Sequence, residues 1–109
     1  MNRPDDRRLE PRSPANMRGI VVAPGLELPC LIVDQSSAGV RLRLDRQLAL
    51  PKRILLIDIA QATAVEAEVV WGKGLEAGVK RCGAASSLRG LVPSRLAPAR
   101  DALMRAGGR

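Results

Sequence analysis

A chain of 109 residues is long enough for one domain with a modest core. It has no His, only two widely separated cysteines (Cys30 and Cys82) and no apolar run approaching the ~18 residues of a membrane helix, which argues against acid–base or nucleophilic catalysis, a zinc centre and a membrane span. The net charge of +7, carried far more by Arg than by Lys, suits an anionic partner, because the planar guanidinium fork matches phosphate oxygens.

Residues 1–17 read as a flexible, Arg-rich arm. Arg3, Arg7, Arg8 and Arg12 alternate with Asp5, Asp6 and Glu10, Pro4, Pro11 and Pro14 oppose regular structure, and few apolar side chains are present to dock it. The arm lacks the apolar stretch of a secretory leader, so a cytoplasmic location is expected. In a reducing compartment a disulfide is disfavoured, and Cys30 reads as a small buried hydrophobe.

Residues 18–109 form the expected domain. Arg18–Ala23 reads as a first strand, stopped by Pro24-Gly25, and Leu28–Asp34 as a second. In 39–44 the alternation is strict: Val40, Leu42 and Leu44 share one face, Arg41 and Arg43 the other. Residues 52–59 are more continuously apolar, as in a central strand. Residues 63–71 alternate again, with Val65, Ala67, Val69 and Trp71 expected inward and Glu66 and Glu68 outward. The Gly72-Lys73-Gly74 break predicts a hairpin to 75–80, with Leu75, Ala77 and Val79 inward. Six short strands without an intervening helical pattern predict an all-β, closed antiparallel barrel or a sandwich. Beyond Lys80, residues 86–96 look like a loop, and 98–106 like a short helix ended by Gly107-Gly108. Trp71, the only large side chain available to fill the interior, is expected to be buried.

Two clusters lie outside this patterning. Arg8-Leu9-Glu10-Pro11-Arg12 sets two arginines four residues apart on the arm, with Arg7 just before them. Asp34-Gln35-Ser36-Ser37-Ala38-Gly39 occupies the connection between two predicted strands. Each alone has an ordinary reading, the first as a solvated basic arm, the second as a turn capped by Asp and Ser and loosened by Gly. In this order, on either side of a predicted strand, they resemble the paired signature of the PilZ family of bacterial cyclic di-GMP receptors, RxxxR followed by [D/N]xSxxG. Val69-Val70-Trp71 with Gly78-Val79 is similar to the family's late hairpin. Two places after Gly78-Val79 the family usually carries an aromatic residue, and Arg81 stands here instead.

The resemblance implies a six-stranded PilZ-like β-barrel with a short C-terminal helix, which binds cyclic di-GMP and has neither enzyme activity nor a cofactor. It implies that Arg8 and Arg12 grip phosphate and guanine, that Asp34 and Ser36 hydrogen-bond a guanine, and that Gly39 shapes the turn. An arginine at the position of Arg7 goes with an intercalated pair of ligand molecules, and Arg41 is a candidate fourth cation for their phosphates. The chemistry agrees: guanine offers O6 and N7 to an Arg fork, and its N1–H and N2–H₂ suit a carboxylate acceptor. The output would pass in trans to an unidentified effector protein. Two other readings remain: a basic barrel that binds RNA or another phosphate backbone, and a PilZ interaction module without ligand. With Trp71 the lone aromatic residue, the sequence lacks the several rings on which a polymer's bases stack, and a phosphate-tracking barrel has no need of Asp34.

Overall fold

The computed structural model describes residues 16–37 and 39–107. Six antiparallel strands close into a barrel: β1 (Met17–Ala23), β2 (Leu26–Gln35), β3 (Val40–Leu44), β4 (Arg53–Asp58), β5 (Thr63–Lys73) and β6 (Glu76–Arg81). Around the barrel they run β4-β1-β2-β3-β6-β5, and pairing of β4 with β5 completes the circle. Closure leaves none of the six with a bare edge, which matters for a small sheet protein that would otherwise pair with copies of itself.

Inside the barrel, alternate residues of every strand meet. Val21, Leu28, Cys30, Ile32, Val40, Leu42, Leu44, Ile54, Leu56, Val65, Ala67 and Val79 form one buried cluster. The even alternation of β3, with Val40, Leu42 and Leu44 buried and Arg41 and Arg43 exposed, is the period of 2 expected of it. Val69 lies at the margin of this cluster and is only half-buried. Burial of Cys30, with the charge of Asp45 adding to it, pushes its thiol up to about 12, so Cys30 is a packing residue.

A second cluster lies outside the barrel wall. Ile20 and Val22 of β1 and Ile57 of β4 face away from the interior and are covered by Leu88, Leu96 and the buried face of α1 (Ala97–Arg105), namely Ala99, Ala102 and Leu103. Apolar faces on both sides of β1 explain the unbroken run Ile20-Val21-Val22. The small side chains Ala99 and Ala102 allow α1 to lie close against the sheet, and Pro98 suits the helix's first turn. Arg105, in the last turn, donates from Nε to both carboxylate oxygens of Glu27 on β2, at 3.1 and 3.2 Å, and this holds the Glu27 carboxyl below its usual range. The bond therefore adds stability above the ordinary carboxylate pKa and loses it as pH falls through the lowered one. Each fully buried Leu, Ile or Val contributes ~1.5–3 kcal/mol, against ~0–1 kcal/mol for an exposed ion pair, so the two clusters hold the fold.

Several expectations need correction. Leu75 is exposed rather than inward, because it belongs to the turn before β6. Within the stretch read as a loop, Ser86–Ser87 forms a short strand, β7, on the edge of β5, and Ser94–Leu96 a single 3-10 turn leading into α1. Trp71 is 44% exposed instead of filling the interior. The cause is a bulge. Val69 pairs with Val79 but Trp71 with Gly78, so Val70 is an extra residue in β5 and the alternation reverses after it. No helix among the described residues is long and apolar enough to cross a membrane.

Candidate functional site

The reversal in β5 has a counterpart in β2. There Ile32 pairs with Leu42 but Asp34 with Arg41, so Val33 is the extra residue. Without that bulge Asp34 would follow Leu28, Cys30 and Ile32 into the core. With it, Asp34 stands beside Arg41, on the outer face. Two bulges on two strands thus turn one acidic and one aromatic side chain out of the barrel.

They turn them into the same row. Asp34 pairs with Arg41, Arg41 with Gly78, and Gly78 with Trp71, so the four residues cross β2, β3, β6 and β5 side by side. Three inter-strand steps make the row about 14 Å long. Gly78 is part of the design: a Cβ there would overlap the pyrrole edge of the Trp71 indole, so the ring lies directly on the backbone of β6. Any side chain at 78 would lift the indole away.

At the end of the row stands the β2–β3 connection. The Ser36 amide donates to the Gly39 carbonyl at 2.9 Å and the Gly39 amide to the Ser36 carbonyl at 3.3 Å. Gly39 does not act through freedom of φ. Its φ lies outside the left-handed region, and a Cβ would come within 2.8 Å of the Val79 carbonyl oxygen. Glycine is required there because β6 passes so close. Ser36 and Gly39 are partly buried, whereas Ser37 is exposed.

The charges of the row are interlocked. Arg41 Nη2 lies 4.0 Å from Asp34 Oδ2, and Arg41 Nη1 lies 3.5 Å from Glu76 Oε1. Arg43 Nη1 approaches the other oxygen of Glu76 at 3.9 Å. Arg41 is therefore shared between two carboxylates, and any phosphate that approaches it competes with both. These pairs are exposed enough to be worth little as stability, which leaves them free to exchange partners.

Of the residues singled out in the sequence, Asp34, Ser36, Gly39 and Arg41 are brought together at one end of the β2–β3 hairpin and its neighbouring face. Arg7, Arg8 and Arg12, with the rest of residues 1–15, lie outside the described residues, whereas Met17, counted with the arm in the sequence, belongs to β1. Sequence reasoning missed Trp71 and Gly78 as members of this surface. A signal was available: three consecutive apolar residues, Val69-Val70-Trp71, break an otherwise even alternation, and such a break marks a bulge. It also missed Arg81, whose guanidinium reaches the Ser36 carbonyl, with 3.2 Å from each terminal nitrogen.

No curated protein and no solved structure matches the chain. The PilZ domain family model matches residues 6–89, a span that contains both arginine and Asp-Ser-Gly motifs and all six barrel strands. With most of the chain matched and the closed six-stranded barrel formed, this protein belongs to the PilZ domain family.

Proposed function

We propose that the protein is a receptor for cyclic di-GMP, with the row Asp34–Arg41–Gly78–Trp71 and the adjoining β2–β3 turn as the wall on which the ligand lies. What supports this reading is the pair of bulges. They present an acceptor for guanine and a ring for stacking about 14 Å apart on one strip of sheet. A carboxylate at 34 accepts from guanine N1–H and N2–H₂, a pattern that other bases do not offer together. Trp71 supplies a flat apolar face for a purine. Ser36 adds a polar contact at the turn, and Gly39 keeps the turn against β6.

Arg8 and Arg12 of the arm are assigned to the phosphates and to a guanine O6/N7 edge, where a guanidinium fork makes two bonds. Arg7 is the third guanidinium. Two stacked ligand molecules carry four phosphate charges, and Arg7, with Arg41 after release from Glu76, would balance the second molecule. The proposed complex is accordingly an intercalated ligand dimer on one chain. The N-terminal arm and the barrel, whose β1 begins at Met17, are the two working parts. Cyclic di-GMP joins them in the cytoplasm, and an effector protein reads the joined surface. No catalytic step and no cofactor enter this account.

The test is amide hydrogen exchange with and without cyclic di-GMP. Amides from Arg7 to Arg12, together with those of Ser36 and Gly39, are expected to gain protection when the ligand is added. Equal protection of Arg7–Arg12 in both states would contradict a clamp made of arm and barrel.

A further inference from the structure

The structure assigns to Arg81 the role of a positioning residue, the brace that fixes the β2–β3 turn in its ligand-receiving shape. This rests on the reading of that turn as part of the cyclic di-GMP site. Arg81 is the last residue of β6 and keeps the phase of Val79, whose side chain points into the barrel. The Arg81 side chain therefore leaves from the inner face at the barrel's end, and it is partly buried there.

Both of its terminal nitrogens meet at one oxygen. Nη1 and Nη2 of Arg81 each donate to the Ser36 carbonyl at 3.2 Å, and Nη2 also reaches Gln35 Oε1 at 3.5 Å. The same Ser36 carbonyl accepts the Gly39 amide, which closes the turn. One carbonyl with two lone pairs thus receives both the bond that shapes the turn and the cation that anchors it to β6. The anchor spans 45 residues of sequence, so it ties the turn to the barrel rather than to its own strands. Asp34 and Ser36 flank Gln35, and a turn free to rock at Ser36 would displace both. Hydrogen bonds from an ionised donor are about twice as strong as neutral ones, and the planar fork loses little freedom in making them. A lysine ammonium is a single point charge and cannot reproduce the fork.

The experiment compares the unmodified chain with Arg81→Met and Arg81→Lys in two measurements. In the ligand-free proteins, exchange of the Ser36 and Gly39 amides is expected to accelerate about tenfold in both variants, as for loss of a charge-assisted bond, while core amides such as Val21 and Leu56 keep their rates. In calorimetric titration, both variants are expected to bind cyclic di-GMP about tenfold more weakly. Unchanged exchange at Ser36 and Gly39 would overturn the assignment, and so would unchanged affinity. Full recovery by Arg81→Lys would also overturn it, since positive charge alone would then suffice. If the unmodified chain did not bind cyclic di-GMP, the proposed function would fail, and the ligand-free exchange rates would still decide whether Arg81 braces the turn.

Discussion

Arg8→Ala and Arg12→Ala are each expected to lower affinity for cyclic di-GMP by roughly tenfold to a hundredfold, because each removes charge-assisted hydrogen bonds worth about 1.5–3 kcal/mol. These would be among the largest single-residue effects in the protein. The row on the barrel contributes one carboxylate, and its one cation, Arg41, is already shared with Asp34 and Glu76. Phosphate charge must then be met chiefly by the arm. Asp34→Ala is expected to act differently: it removes the guanine acceptor and frees Arg41 from one of its two carboxylates. Binding of cyclic di-GMP should weaken, while attraction to inorganic polyphosphate should hold or rise slightly. Arg100→Ala, on the exposed face of α1, serves as the comparison and should change neither. Calorimetric titration of the four variants checks this, and equal losses for Asp34→Ala and Arg100→Ala would move the site elsewhere.

Trp71→Ala is expected to weaken cyclic di-GMP binding by a similar margin, since stacking of a base on an aromatic ring is worth about 1–3 kcal/mol. The melting temperature should change little, because the indole is 44% exposed and takes no part in either buried cluster. Trp71→Phe should recover much of the affinity. A spectroscopic readout comes with the residue: as the only aromatic side chain, Trp71 is the sole source of indole fluorescence. Stacking of guanine on the ring should quench that emission in proportion to saturation. Emission unchanged at full occupancy, with Trp71→Ala binding as well as the unmodified chain, would remove the ring from the site. Gly78 gives an independent handle, since any Cβ there displaces the indole.

How far the sequence carried can be seen strand by strand. The barrel strands were legible from alternation in residues 39–44 and 63–71, from a continuous apolar run in 52–59, and from the turn signals Pro24-Gly25 and Gly72-Lys73-Gly74. The strict alternation of residues 40–44 is the plainest case. The family motifs were legible because they combine charged residues with a turn at fixed spacing. Trp71 was misplaced because a single inserted residue reverses every side chain beyond it, and period-2 reasoning carries straight through such an insertion. Asp34 was chosen for its motif, but the bulge at Val33 that makes it accessible was hidden in the apolar run Leu31-Ile32-Val33. Gly39 was legible from its motif as a place where a side chain would be in the way, but the carbonyl that excludes one belongs to Val79, far along the chain. Arg81 stood out in the sequence only as a departure from the family's usual aromatic residue, with nothing to say what it does. Its role exists only once β6 has been brought beside the β2–β3 turn.

Calorimetric titration of the full chain with cyclic di-GMP, GTP and cyclic GMP tests most directly whether this barrel recognises cyclic di-GMP as such. Run at protein concentrations well above the dissociation constant, the titration should show saturable binding of cyclic di-GMP at two molecules per chain. Arg7→Leu should shift that ratio toward one while binding remains detectable, and GTP and cyclic GMP should give little heat. A ratio of one for the unmodified chain would discard the ligand pair and Arg7's part in it. Equal binding of GTP and cyclic di-GMP, or no saturable heat from cyclic di-GMP at all, would contradict the account.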